Sequence, residues 1–357
     1  MTNEDKNILW LDLFDFLTYG KKIKLLSTVQ KSENIREHFL KSKEVKEILT
    51  NEEYNKMALC LSEEYLNRHL KNYANDNIQL ITFNNPNYPY LLKEISSPPL
   101  CLYCKGDVSL LSSQCFAIVG TRKPTDYGIV VTKQYAKEIS KHMTIVSGLA
   151  TGIDAVAHKT TLEEKGKTIA VLAGGLNNIY PLTNIRLAKD IEENGLLISE
   201  YPPNTKPLSY YFPIRNRIIA GLSKGVLVPE MGEKSGRMHT INYGIEFNRD
   251  IFVVPGKINS PMSKGSNLLI KNLQGCITIS PEDIMNTYQL SKQGKAEHMQ
   301  LDLNSQLIIN FMESEKRTFQ EIADYTKLPT NELNSLLIML EMEGLIVKLA
   351  NNSYIMA

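Results

Sequence analysis

The chemistry this sequence offers is gathered in short turns that follow apolar runs. Phe116-Ala117-Ile118-Val119 breaks into Gly120-Thr121-Arg122. That turn supplies a glycine that brings backbone N–H groups close to an anion, a hydroxyl, and a planar guanidinium matched to phosphate. Thr125 or Asp126 can cap the helix that follows. A second run ends in Ser147-Gly148-Leu149-Ala150-Thr151-Gly152-Ile153-Asp154, with two glycines, two hydroxyls and an acid in the first turn of a helix. Such a turn makes an anion-binding nest of backbone amides. A third run ends in Gly174-Gly175-Leu176-Asn177, followed by Tyr180-Pro181 and Asn184. One such turn is an ordinary strand-to-helix connection; three in successive crossovers point to a shared site.

The fourth run leads to FPIRNRIIAGLSKG, residues 212–225. Arg215 and Arg217 flank Asn216 where a helix begins, and Phe212 precedes them. Two arginines at a helix start suit a groove that tracks a phosphate backbone, and an aromatic beside them can stack a base. The alternative is a buried turn with arginine–carboxylate pairs. Glu230 ends the fifth run, where a carboxylate can be catalytic or can orient an arginine, and Lys257 follows the sixth run in VVPGK.

What is missing narrows the chemistry. There is no G-x-G-x-x-G after the first run, no G-x-x-x-x-G-K-[ST], no H-E-x-x-H and no G-x-S-x-G, so dinucleotide binding, phosphate-chain hydrolysis, zinc proteolysis and serine hydrolysis lose their usual signatures. The six histidines fall in no ligand spacing. His158, four residues after Asp154 on a helix, reads as a structural hydrogen-bonder rather than a base. The five cysteines have no framework spacing, and the lone Cys101-x-x-Cys104 in a strand-like stretch reads as packing. The formal net charge of +1 leaves any polyanionic partner to local patches. No apolar run approaches the roughly 18–20 residues that cross a bilayer, and the acidic start MTNEDKNILWLDLFDF is unlike a secretory signal, so a cytoplasmic protein is expected.

The elements that must position these turns follow from spacing. The runs FAIVG, MTIVSG, TIAVLAGG, LLISEYP, GVLVPE and DIFVVPG are separated by helical lengths, the alternation of a parallel sheet covered on both faces. A doubly wound α/β domain places ligands at the carboxyl ends of its strands. Residues 1–75 carry apolar positions at helical spacing, while 76–113 are rich in proline and asparagine and read as a connector of turns and extended chain. Residues 291–304 are polar and aperiodic, a linker. Beyond them, a helix to about Ser314, a second capped by Thr318, a turn at Leu328-Pro329, a third helix capped by Thr330 and stopped by Gly344, and a hairpin from LIVKLA and NSYIMA spell a winged helix.

Taken in order, GTRKPTDYG, SGLATGIDAVAH, GGLNNIYPLTN, SEYPPNTKP with YYFPIRNRIIAGLS, EKSGRMHT and VPGKINSPMSKGSNLLI closely resemble the DprA/Smf family, DNA-processing proteins of bacterial natural transformation. NYPYLLKEISSPPLCLYCKGD matches the family's lead-in, so the resemblance covers roughly residues 76–285. It implies an extended Rossmann-like doubly wound sheet over 76–290, with an N-terminal helical (SAM-like) domain over 1–75 and a C-terminal winged-helix domain over 305–357. It also implies a homodimer that binds single-stranded DNA, protects it, helps load the recombinase RecA and displaces single-strand-binding protein. No catalysis, cofactor, metal or membrane is implied. Carried across by motif, the phosphate pocket uses Gly120, Thr121 and Arg122, the nest Ser147-Gly148, and Arg215, Asn216 and Arg217; Phe212 and Lys257 join them from the strand-end reading. The family more often reads G-S-R where this chain has Gly120-Thr121-Arg122. It often has glycine, cysteine and aspartate at Ala173, Gly174 and Asn177, and a small residue at Arg237; Pro229 before Glu230 is also unusual. Arg237 would strengthen phosphate binding or pair with Glu230.

Two other classes compete. A nucleotide sensor or phosphoribohydrolase on a related sheet would use Glu230 at an N-glycosidic bond, but such enzymes carry P-G-G-x-G-T-x-x-E and this chain does not. A winged-helix regulator would need a basic recognition helix, yet NELNSLLIMLEMEG holds Glu332, Glu341 and Glu343 and no Lys or Arg.

Overall fold

In the computed structural model, residues 2–29, 33–233, 236, 238–290, 302–312, 316–342, 345–349 and 353–356 are described. Arg237, Glu343, Gly344, Ser314 and most of the 291–304 stretch lie outside these. Two compact units result, residues 1–290 and 291–357.

The first unit is built on a sheet that holds nine strands among the described residues, in the order β1-β2-β6-β5-β4-β3-β7-β8-β9. These are β1 (Gln79–Thr82), β2 (Cys101–Gly106), β3 (Cys115–Ile118), β4 (Thr144–Ser147), β5 (Thr168–Val171), β6 (Leu196–Ser199), β7 (Gly225–Val228), β8 (Asp250–Val253) and β9 (Cys276–Ile277). From β6 to β9 the pairing is parallel. The chain runs outward from β3 through β4 and β5 to β6, then returns to lay β7 on the other side of β3. That reversal is the switch point of a Rossmann-like sheet, where a crevice opens at the strand ends.

The six expected runs are strands because both their faces are covered. In β3, Cys115 and Ala117 join one core with Val146, Ile218 and Val228, while Phe116 and Ile118 join another with Tyr135, Ala157 and Phe252. Continuous apolar runs are the mark of such two-sided burial. The proline-rich connector does more than connect. It supplies β1 and β2, which extend the sheet antiparallel beside β6. Cys101 and Cys104 are free and buried in β2, and burial pushes both thiols well above their ordinary range.

Among the described residues of 3–75 there are six helices, each started by a side-chain cap such as Thr2, Ser42 or Ser62. Their core, with Trp10, Leu66 and Tyr73, is continuous with Tyr103, Leu149, Leu172 and Leu197 of the sheet region.

In the second unit, helices Leu303–Met312, Phe319–Thr326 and Thr330–Met342 accompany β10 (Arg317–Thr318), β11 (Ile346–Leu349) and β12 (Ser353–Met356), which among the described residues form a sheet in the order β10-β12-β11. Thr318 caps its helix as expected: Glu321 N donates to Thr318 Oγ1 at 3.3 Å, and Thr318 N donates to Glu321 Oε2 at 2.7 Å. Thr330 is the first residue of its helix rather than the cap, because Leu333 N already donates to Pro329 O. No described helix is long and apolar enough to cross a membrane.

Candidate nucleic-acid interface

The turns after β3, β4 and β7 converge at the switch point and are tied together by backbone hydrogen bonds. Thr121 N donates to Glu230 O at 2.9 Å, and Ile153 N, the first amide of helix Ile153–Glu163, donates to Thr121 O at 3.1 Å. Gly152 makes this contact possible. Its φ is +82°, and a Cβ there would lie 2.4 Å from Thr121 O and 2.7 Å from the Arg122 carbonyl carbon. Gly120 is equally hemmed in, with Ile153 Cγ1 at 2.7 Å and Glu230 O at 2.9 Å from its would-be Cβ. The preceding turn therefore closes on the helix start after β4.

The helix after β3 is closed in a different way. Thr125 is its cap, and Asp126 is its first residue. Glu230, 1% exposed, accepts from Thr125 N at 2.8 Å and from Thr125 Oγ1 at 2.7 Å. A carboxylate from the turn after β7 thus sits where a cofactor's pyrophosphate would meet the positive end of the helix. Gly128 leaves room for it, since a Cβ there would be 2.4 Å from Glu230 Oε2. The strand-end acid orients a threonine and a helix start rather than an arginine.

Side chains complete the crevice. Arg122 is exposed and lines a cleft of about 320 Å³ together with Tyr180, Ser209, Phe212, Asn216 and His239. Its Cζ lies 5.7 Å from the Phe212 ring centroid, within cation–π range. Tyr180 meets the same ring edge-on at 5.6 Å. Sequence reasoning sees Tyr180 only as part of the third turn and passes over His239 and Ser209, because nothing in their spacing ties them to Arg122. The loop holding the exposed Lys257 reaches this region through Met262, whose Sδ accepts from Thr121 Oγ1 at 3.8 Å.

The other expected site residues lie behind this surface, Arg215 with its Cζ 6.0 Å from the Phe212 ring centroid. Ser147 is fully buried and donates to Ile118 O at 2.6 Å, tying β4 to β3. Arg215, 1% exposed, donates from Nη1 to Gly148 O at 2.9 Å and to Val171 O, and from Nε to Asn216 Oδ1 at 3.2 Å. A Cβ on Gly148 would meet Arg215 Nη2 at 2.7 Å and Asp154 Oδ2 at 2.9 Å, so Gly148 gives the guanidinium its space. Arg217 is buried and paired with Glu200. The two arginines do not share a groove, because the helix begins at Tyr211 and residues two apart on a helix face roughly opposite ways. The alternative of buried arginine contacts therefore holds here. His158 is structural too: its Nδ1 lies 2.7 Å from Thr168 Oγ1, and burial, then Arg215, hold its pKa down to about 3. The third turn is packed, with Gly175 N donating to Thr205 O and Asn177 N to Pro203 O.

Comparison with known proteins gives this geometry a context. The model of the family DNA recombination-mediator protein A matches residues 79–289, and that of the DprA winged helix domain matches residues 295–352. The chain is 46% identical over 222 residues to the DNA processing protein DprA of Bacillus subtilis, covering 61% of this chain and 74% of that protein. It is 42% identical over 216 residues to Protein Smf of Escherichia coli, covering 60% of this chain and 57% of that one. Among solved structures it is similar to DNA processing protein A from Streptococcus pneumoniae, with TM-score 0.70, 30% identity, and 80% of this chain and 98% of that chain covered. A second is DNA processing protein A from Helicobacter pylori, described for its single-stranded DNA binding mode, with TM-score 0.55, 33% identity, and 60% and 97% of the two chains covered. The family indicated by the ordered motifs is the one these matches return.

Proposed function

This chain belongs to the DNA recombination-mediator protein A family, the DprA/Smf family, and from that premise we propose that it binds single-stranded DNA in the Arg122 cleft as a non-enzymatic recombination mediator. The observation that carries the reading is the exposed guanidinium of Arg122 against the Phe212 ring at the switch-point edge. A charge for the backbone beside an aromatic platform for a base is what sequence-tolerant single-strand binding uses. The Helicobacter pylori relative, a single-stranded DNA binder, supports it.

In this reading Arg122, Phe212, Asn216 and Lys257 meet the strand, and Gly120 and Thr121 hold Arg122 in place. Ser147, Gly148, Arg215 and Arg217 act behind the surface. Loading of RecA, displacement of single-strand-binding protein, dimerisation, a cytoplasmic setting during natural transformation, and division of the chain at residues 75, 290 and 304 are parts of the same proposal. Against a phosphoribohydrolase stands Glu230, buried with both oxygens on Thr125. A side-by-side titration with an oligo-dT, a duplex of equal length and mononucleotides tests the function, with product analysis of the last. Tight, salt-sensitive binding of the single strand with no base release is expected. Release of base from a mononucleotide would overturn it.

A further inference from the structure

The Arg122 cleft holds a second group that can meet a phosphate, and its charge depends on pH. His239 is exposed, is the second residue of helix Met238–Glu246, and lines the cleft together with Arg122. Among the described residues that line the cleft there is no carboxylate, and besides Arg122 and His239 the one titratable group is the phenol of Tyr180. A histidine gains its charge between about pH 8 and pH 5. Once it has done so, a phosphate drawn to Arg122 meets two cations and no competing anion.

The charged groups on the elements packed against that helix have other partners. On helix Tyr211–Leu222, Arg215 is buried against the carbonyls of Gly148 and Val171, and Arg217 is paired with Glu200. In the turn after β7, Glu230 is closed on Thr125. On β8, Asp250 accepts from Tyr288 Oη at 2.8 Å. On the helix itself, Tyr243 stacks on Phe247, and Glu246 at the far end accepts from Ser96 Oγ at 2.8 Å. Glu233, in the segment leading into the helix, is exposed and does not line the cleft. An incoming phosphate is therefore the anion placed to meet the imidazolium.

We propose that His239 is a further DNA-contacting residue, which in its protonated form binds a backbone phosphate together with Arg122, so that single-strand affinity rises as pH falls. The proposal rests on the single-strand reading of the cleft. Linkage makes the effect reciprocal: bound strand raises the proton affinity of the imidazole, and the protein takes up protons as the complex forms. A histidine with a purely structural role at this position would do neither.

Fluorescence anisotropy with an oligo-dT at about pH 5.5 and about pH 8 tests this on the full-length parent, His239→Gln and His239→Lys. The parent should bind about fivefold or more tightly at the lower pH, with a slope of log affinity against log salt steeper by up to about 0.7. His239→Gln should lose both differences. His239→Lys carries a permanent charge and should bind at the higher pH about as tightly as the parent does at the lower. Thermal melts check that both variants fold, and either one decides if the other does not. Calorimetry near neutral pH in two buffers of different ionisation enthalpy should show proton uptake by the parent and less by His239→Gln. Equal parent affinity at the two pH values, a pH dependence that survives His239→Gln, or His239→Lys binding no tighter than the parent at the higher pH overturns the proposal. A failure of the single-strand reading registers separately, as oligo-dT binding that is absent at both pH values or indifferent to Arg122→Ala.

Discussion

Replacing Arg215 by alanine separates a residue that builds the surface from one that forms it. The guanidinium is 1% exposed and donates to the carbonyls of Gly148 and Val171, the ends of β4 and β5, and to Asn216 Oδ1. Truncation leaves two strand-end carbonyls buried without that donor, and each costs about 1–3 kcal/mol. A total loss of about 2–6 kcal/mol follows. At about 2 °C per kcal/mol for a unit of this size, the melting temperature should fall by about 4–12 °C. Thermal unfolding followed by circular dichroism reads this directly. Oligo-dT affinity, measured well below both midpoints, should fall much less than it does for Arg122→Ala. An Arg215→Ala protein with unchanged melting temperature and lost DNA affinity would refute the reasoning, because Arg215 would then be a direct contact.

Other perturbations probe neighbouring parts of the site. Gly152→Ala forces a side chain into a left-handed backbone position and against Thr121 O. It should cost at least about 1–3 kcal/mol and weaken oligo-dT binding by displacing Arg122, as denaturant melts and anisotropy would show. His158 has its pKa held down to about 3 in the fold against about 6.5 unfolded. The unfolded chain therefore takes up the proton first, and this contribution to stability is complete above about pH 6.5 and falls by about 1 kcal/mol per pH unit below it, towards pH 3. Urea melts between pH 4 and 7 should show a shallower acid limb for His158→Gln than for the parent.

The sheet was legible because β3 to β8 are buried on both faces and so appear as unbroken apolar runs. β1 and β2 were less so. QLIT is short, runs from exposed at Gln79 to buried at Ile81 and Thr82, and sits in a proline- and asparagine-rich stretch whose turn signals dominate. At the site, Thr125 was readable as a cap because capping is local chemistry. Glu230 was not readable as the partner of Thr125, since 105 residues separate them. The groove expected from Arg215 and Arg217 depended on where the helix begins. A start at Tyr211 puts both arginines inside it and on opposing sides, leaving Arg122 exposed on the cleft. Tyr180 and His239 reach Phe212 and Arg122 only through the packing of separate crossovers, which no local pattern records.

The central claim rests on Arg122, and oligo-dT binding by the parent protein and by Arg122→Ala across a series of salt concentrations tests it most directly. Loss of one phosphate contact should weaken binding by about tenfold or more and reduce the slope of log affinity against log salt by about 0.7, with the melting temperature unchanged. Equal affinity and an equal slope for the two proteins would contradict the account.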